Sequence, residues 1–164
     1  MLTCLERLQL LLRERGVEFV LQHHREVFTM QAVAAELHEK GAHVAKVVIA
    51  WADGKLVMLV LPTPAHVDFE RVRELLNAEV ARAAHEPEFK PRFTDCDVGA
   101  MPPFGNLYQM PTYLDGSLNR AGEIVIQAGT HRDTIKLATA DYVRLAAPII
   151  ADFIVRPRVE AAGP

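Results

Sequence analysis

The chain has 164 residues, 50% of them hydrophobic, enough for one globular domain whose core folds without metal or disulfide help. A formal net charge of -3 gives no bulk attraction to polyanions, so any contact with nucleic acid has to come from a local basic patch. Cys4 and Cys96 stand far apart and form no disulfide framework, which favours a reducing compartment, and no run approaches the roughly 18 uninterrupted apolar residues of a membrane span, so a soluble, cytoplasmic protein is expected. Leu2, Leu5, Leu8 and Leu12 recur at three- and four-residue steps ahead of Gly16, which predicts a first amphipathic helix. Val17, Phe19 and Leu21 alternate as a short strand, and Thr29 is placed to cap a helix that buries Met30, Val33, Ala34 and Leu37. From Val44 to Leu61 two apolar runs flank Asp53-Gly54, the pair a tight hairpin turn prefers. Both runs are apolar on both faces, so they belong in the middle of a covered sheet.

Pro62 and Pro64 stop the second run, and Asp68 caps a helix carrying Phe69, Val72, Leu75 and Leu76. A short strand is expected over Glu79 to Ala84 and a short helix over Pro87 to Phe93. Tyr108 to Leu114 reads as extended, Asp115-Gly116-Ser117 as a turn, and Glu123 to Ala128 and Thr134 to Leu137 as strands around a Gly129-Thr130-His131-Arg132 turn. Tyr142, Leu145, Ala146, Ile149, Ile150 and Phe153 have the spacing of a closing helix kinked at Pro148. The expected fold is α+β, a single domain over residues 1–155 with a mixed, partly barrel-like sheet of six or seven strands surrounded by helices, and residues 156–164 form a flexible tail.

Two features carry chemistry. The first is Cys96-Asp97-Val98-Gly99-Ala100-Met101-Pro102-Pro103-Phe104-Gly105-Asn106, where paired prolines and flanking glycines rule out helix interior and central strand. Its amides around Gly99 and Ala100 are suited to face a carbonyl or phosphate, and the same residues would also serve a purely structural turn. The second is Lys46, an ammonium inside the apolar run Val44 to Trp51 on the face of Val44 and Val48. It either snorkels to solvent or stands at the floor of a pocket as an anion-binding group. His131 is a third candidate, as a ligand contact or an ordinary turn histidine. The remaining histidines have no zinc spacing, and nucleophile-elbow, phosphate-loop and dinucleotide motifs are missing, so neither metal nor cofactor is expected. Asp95 and Asp97 beside Cys96 disfavour its thiolate.

Lys46 in a Lys-Val-Val-Ile strand, followed about fifty residues later by Val98 to Gly105, resembles the YbaK and prolyl-tRNA-synthetase-associated editing domains. The similarity includes Phe28 to Ala34, Tyr113 to Leu118 and Gly129-Thr130-His131, and spans nearly the whole chain. The resemblance implies a free-standing hydrolase that removes a wrong, small amino acid from the terminal adenosine of a tRNA. It implies that Lys46, Gly99 and Ala100 act on the ester, that Phe28, Met101, Pro102, Pro103, Phe104, Gly105 and His131 form the aminoacyl pocket, and that a ribose hydroxyl of the tRNA helps activate water. The partner is then mischarged tRNA, with an aminoacyl-tRNA synthetase as a candidate second partner and no membrane. The alternative from another class is a non-catalytic module that binds an aminoacyl-tRNA or nucleotide end and acts with a synthetase.

Overall fold

The computed structural model describes residues 1–156. The first helix, α1 (Cys4–Glu14), is capped by the Thr3 hydroxyl on the Glu6 amide and buries Cys4, Leu8 and Leu12, and Gly16 turns the chain away at φ +68°. β1 (Phe19–His23) follows, and α2 (Met30–Glu36) starts where Thr29 accepts the Ala32 amide. The hairpin forms as its turn chemistry demands, with β2 (Ala45–Ala52) against β3 (Lys55–Pro62) from the Ala45–Pro62 pair to the Ala52–Lys55 pair. Asp53 and Gly54 both take positive φ, 49° and 85°, which matches the right-handed twist of the strands.

The hairpin anchors a five-stranded sheet. β4 (Ala81–Ala83) pairs antiparallel with β2, β5 (Thr112–Asp115) pairs parallel with β3, and β8 (Ile149–Ala151) pairs parallel with β5. β3 is therefore central. One face of the sheet enters the main core through Ile49, Met58 and Val60, and the other, through Ala50, Leu59 and Leu61, meets Val72 of α3 (Phe69–Leu75). Asp68 caps α3 by accepting the amides of Glu70 and Arg71. A second sheet has the order β1-β7-β6, where β6 (Glu123–Gln127) and β7 (Asp133–Ala138) form an antiparallel pair. The two sheets meet where Val44, just ahead of β2, bridges Val125 of β6 in parallel.

Several expectations change. Among the described residues eight strands in two sheets, joined by one bridge with no closed barrel, take the place of one partly barrel-like sheet of six or seven. The stretch before β5 is not extended throughout: Gly105–Tyr108 is a 3-10 turn that Gln109 ends at φ 56°, and only Thr112–Asp115 is strand. Asp115 is a cap, accepting the Ser117 amide to start the one-turn helix α5 (Gly116–Asn119). Pro87 falls in a single turn, α4 (Glu86–Phe89), followed by a 3-10 turn over Lys90–Arg92. The closing helix is cut short. α6 (Thr139–Ala146) ends at Ala147 with φ 46°, Pro148 contributes no amide, and Ile149–Ala151 becomes edge strand rather than helix. Phe153 is buried beside α3 rather than on a helix face. Of the expected tail, residues 157–164 lie outside the described residues, while Arg156 pairs with Asp152 at 2.5 Å. Among the described residues no helix is long and apolar enough to cross a membrane.

Candidate functional site

The proline loop is fastened at both ends. Asp97 to Ala100 makes a tight turn in which the Ala100 amide donates to the Asp97 carbonyl at 3.0 Å and Gly99 takes φ +86°. The Asp97 amide donates to the Gly129 carbonyl at 2.8 Å and the Gly129 amide to the Ala100 carbonyl at 2.9 Å, so the loop and the β6–β7 turn that carries His131 form one unit. Beyond Ala100 the chain dives inward. Met101, Pro102, Pro103, Phe104 and Gly105 are all buried; Phe104 meets Tyr142 edge-on at 5.3 Å, and the Tyr142 hydroxyl donates to the Pro103 carbonyl at 2.6 Å.

That burial divides the expected site residues. Phe104 is 0% exposed and Met101 4%, both packed inside the main core, and the Gly105 amide donates to Thr112 Oγ1, so these three residues brace the loop from within. The Ala100 amide is committed to its own turn. Among the described residues the amides of Val98, Gly99 and Met101 donate to no protein acceptor, so free N–H groups of the loop flank Ala100 rather than include it. Removing the hydroxyl that holds the loop tests the scaffold: Tyr142→Phe leaves the buried Pro103 carbonyl without a donor and is expected to cost about 1–3 kcal/mol in urea unfolding.

His131 stands over the turn. A carbonyl only accepts, so the 3.2 Å contact between His131 Nε2 and the Val98 carbonyl puts the proton of the neutral ring on Nε2 and leaves Nδ1, which has no partner, as an acceptor. Phe28, 67% exposed, lies against the same ring with centroids 4.9 Å apart. Below the turn Asp133 accepts from Thr130 Oγ1 at 2.6 Å and contacts His23 Nδ1, which anchors the base of the turn.

Gln127 was not singled out in the sequence, although a polar residue closing the apolar run Ile124-Val125-Ile126 is the signal that marks it. It is 4% exposed, its Nε2 donates to the Gly99 carbonyl at 3.3 Å and lies 2.6 Å from Met30 Sδ, and its Oε1 has no partner.

Lys46 enters this arrangement through register. Val44 bridges Val125, and both pack with Met30 and Val33 of α2; two residues further along each chain, Lys46 and Gln127 project to that same side. Lys46 is half-buried. Among the described residues it has no hydrogen-bond or ion-pair partner, and burial pulls its pKa below the ordinary lysine value. An amine desolvated without a carboxylate does not stabilise the fold, and an incoming anion or carbonyl would restore what burial removed. Lys46, Gly99 and His131 line neither the hollow of about 520 Å³ beside Trp51 and Lys55 nor the one of about 540 Å³ beside Cys96.

The model of the aminoacyl-tRNA editing domain matches residues 24–145. The chain belongs to this family. The matched span of the editing domain holds Phe28, Lys46, the proline loop, Gln127 and His131, and leaves all of α1 and β1 outside. A relative, the multifunctional Ser/Thr-tRNA deacylase ProXp-y of Escherichia coli strain K12, is 28% identical over 153 residues, which cover 90% of this chain and 91% of that protein. The protein of the same name from Escherichia coli O157:H7 matches equally. The fold of this editing domain is shared by a proposed trans-editing enzyme for prolyl-tRNA synthetase, with a TM-score of 0.80 at 19% identity over 95% of this chain and 99% of that one. It is also shared by a hypothetical protein with a TM-score of 0.82 at 19% identity, over 92% and 100% of the two chains.

Proposed function

We propose that this editing domain is a free-standing deacylase that hydrolyses the ester between serine or threonine and the terminal adenosine of a mischarged tRNA. Membership of the family and the relative named a Ser/Thr-tRNA deacylase support the reaction class and the amino acids. The observation that carries the site is Lys46: a half-buried amine without a protein partner, on the side of the sheet junction that also holds Gln127 and, through it, Gly99.

In the reaction, water adds to the ester carbonyl, negative charge builds on its oxygen, and the carbon–oxygen bond to the ribose breaks as that oxygen takes a proton. The free amides of Gly99 and Met101 are the donors for the developing oxyanion, held ready by the Asp97–Ala100 turn. Lys46 supplies a positive charge beside the phosphate and ester of the adenosine end, where it also opposes the negative charge that builds on the ester. Phe28 and the His131 ring, packed against each other beside the loop, flank the aminoacyl group. A ribose hydroxyl of the tRNA orients the attacking water, which is why so few protein groups suffice. A net charge of -3 gives little independent attraction for tRNA, so a synthetase that presents the charged end is the second partner.

The experiment is a deacylation panel of tRNAs charged with serine, threonine, alanine and larger amino acids, with and without a synthetase. Seryl and threonyl esters are expected to be hydrolysed well above the spontaneous rate and larger ones not. A saturable complex with charged tRNA and no turnover of any ester would replace the enzyme with a binding module.

A further inference from the structure

Outside the family match, α1 brings a second chemistry against the back of the proline loop. Cys4 is 3% exposed, and its amide donates to the Asp95 carbonyl at 3.2 Å, which lays the start of the helix along residues 95 and 96. Cys4 Sγ, Cys96 Sγ and an Asp95 carboxylate oxygen lie within 4.8 Å of one another, and both cysteines are free thiols. Gly129, at φ +97°, packs its bare Cα against both cysteines. A Cβ there would stand 2.7 Å from Cys4 Cβ, 2.8 Å from Cys4 Sγ and 3.5 Å from Cys96 Cβ.

Two thiols and a carboxylate could also suggest a metal, but Asp95 is already engaged. Its Oδ1 accepts from the Tyr108 hydroxyl at 2.9 Å, and its Oδ2 meets the Arg7 guanidinium at 3.1 Å, a positive charge that opposes a bound cation. We infer that Cys4 and Cys96 form a dithiol that hydrogen peroxide closes to a disulfide, fastening α1 to the segment that leads into the proline loop.

Cys96 is the point of attack, because its side chain lines the 540 Å³ hollow with Lys90, Phe93 and Val98 while Cys4 is enclosed. Its sulfur attacks peroxide; the O–O bond breaks, leaving a sulfenic acid and releasing water. Cys4 sulfur then attacks Cys96 Sγ, the sulfur–oxygen bond breaks, and a second water leaves with the remaining thiol hydrogen, so one peroxide oxidises both thiols. The hydrogen bond from Cys96 draws Cys4 below the usual thiol range, as suits the second nucleophile. The same contact and burial push Cys96 up, so peroxide in excess is needed for the first step.

The test treats the whole protein with excess hydrogen peroxide, then counts thiols after denaturation and maps peptides without reductant. Both thiols are expected to disappear from a monomer, with the Cys4 and Cys96 peptides joined, and dithiothreitol is expected to restore them. Cys4→Ser should trap a sulfenic acid on Cys96 that dimedone labels, and Cys96→Ser should leave Cys4 unreactive until the protein unfolds. Peroxide that leaves Cys96 of the wild type as a sulfinic acid, dimers joined through Cys96, or stoichiometric Zn²⁺ that shields both thiols of the reduced protein would each overturn the inference. None of these readouts measures ester hydrolysis, so failure here leaves the deacylase reading standing.

Discussion

Lys46→Met is expected to lower kcat/KM for seryl- or threonyl-tRNA hydrolysis by about 10²–10³-fold, the loss seen when one group stabilising transition-state charge is removed. The same substitution is expected to make the protein more stable by about 0.5–2 kcal/mol, as when strain at a functional site is relieved. The two effects oppose each other because the amine is half-buried with no protein partner, so its charge costs the fold something and is worth keeping only when substrate is bound. The pH dependence follows from the direction of the shift. Between the lowered native pKa and the ordinary lysine value the unfolded chain binds the extra proton, so the cost of the buried charge is fully present at neutral pH and fades as pH rises through that window. Wild type should gain stability across that window relative to Lys46→Met, and its affinity for tRNA should fall over the same range. A variant that loses stability while keeping full activity would show that Lys46 is a structural residue. A rise in KM with kcat unchanged would mean that it only binds the substrate.

Gly105→Ala is expected to destabilise the protein by about 3–5 kcal/mol, combining overpacking with the loss of a buried hydrogen bond. A Cβ at this position would lie 2.2 Å from Thr112 Oγ1 and 2.4 Å from the Met110 carbonyl oxygen, and the first of those atoms accepts the Gly105 amide at 3.0 Å. Thr112→Ala cannot rescue it, because the Met110 carbonyl belongs to the backbone and Met110 donates its own amide back to Gly105 at 2.9 Å. Gly99→Ala makes a sharp contrast. Among the described residues the one atom within 4 Å is His131 Cε1 at 3.5 Å, an ordinary contact, so the cost is the left-handed φ alone, about 1 kcal/mol, and falls on the loop amide rather than on the core. Urea unfolding of the two variants side by side measures the difference, and equal losses would mean that the loop is not held at Thr112.

The residues that could be read directly act on their immediate neighbours. Thr29 and Asp68 cap helices with their own side chains, Asp53-Gly54 selects the hairpin turn, and Gly99 and the paired prolines exclude regular structure, so each of these was legible in the chain. Lys46 was legible for the opposite reason, because a charge inside an apolar strand has no local explanation. The features that were not legible depend on partners distant in sequence. Ile149 and Ile150 have helical spacing, and only the open edge of β5, together with Pro148, turns them into a strand. The division into two sheets rests on which strands found each other, and among the described residues Val44 with Val125 is the bridge that joins them. Which loop amide stays free was decided when Ala100 closed its turn on Asp97, and Gln127 came to the Gly99 carbonyl only because β6 ends beneath that turn. Cys4 and Cys96 meet because α1 packs across the base of the loop. Local steric and capping preferences are written into a few neighbouring residues, whereas pairing, burial and the state of a single N–H group are settled only when remote segments compete for the same space.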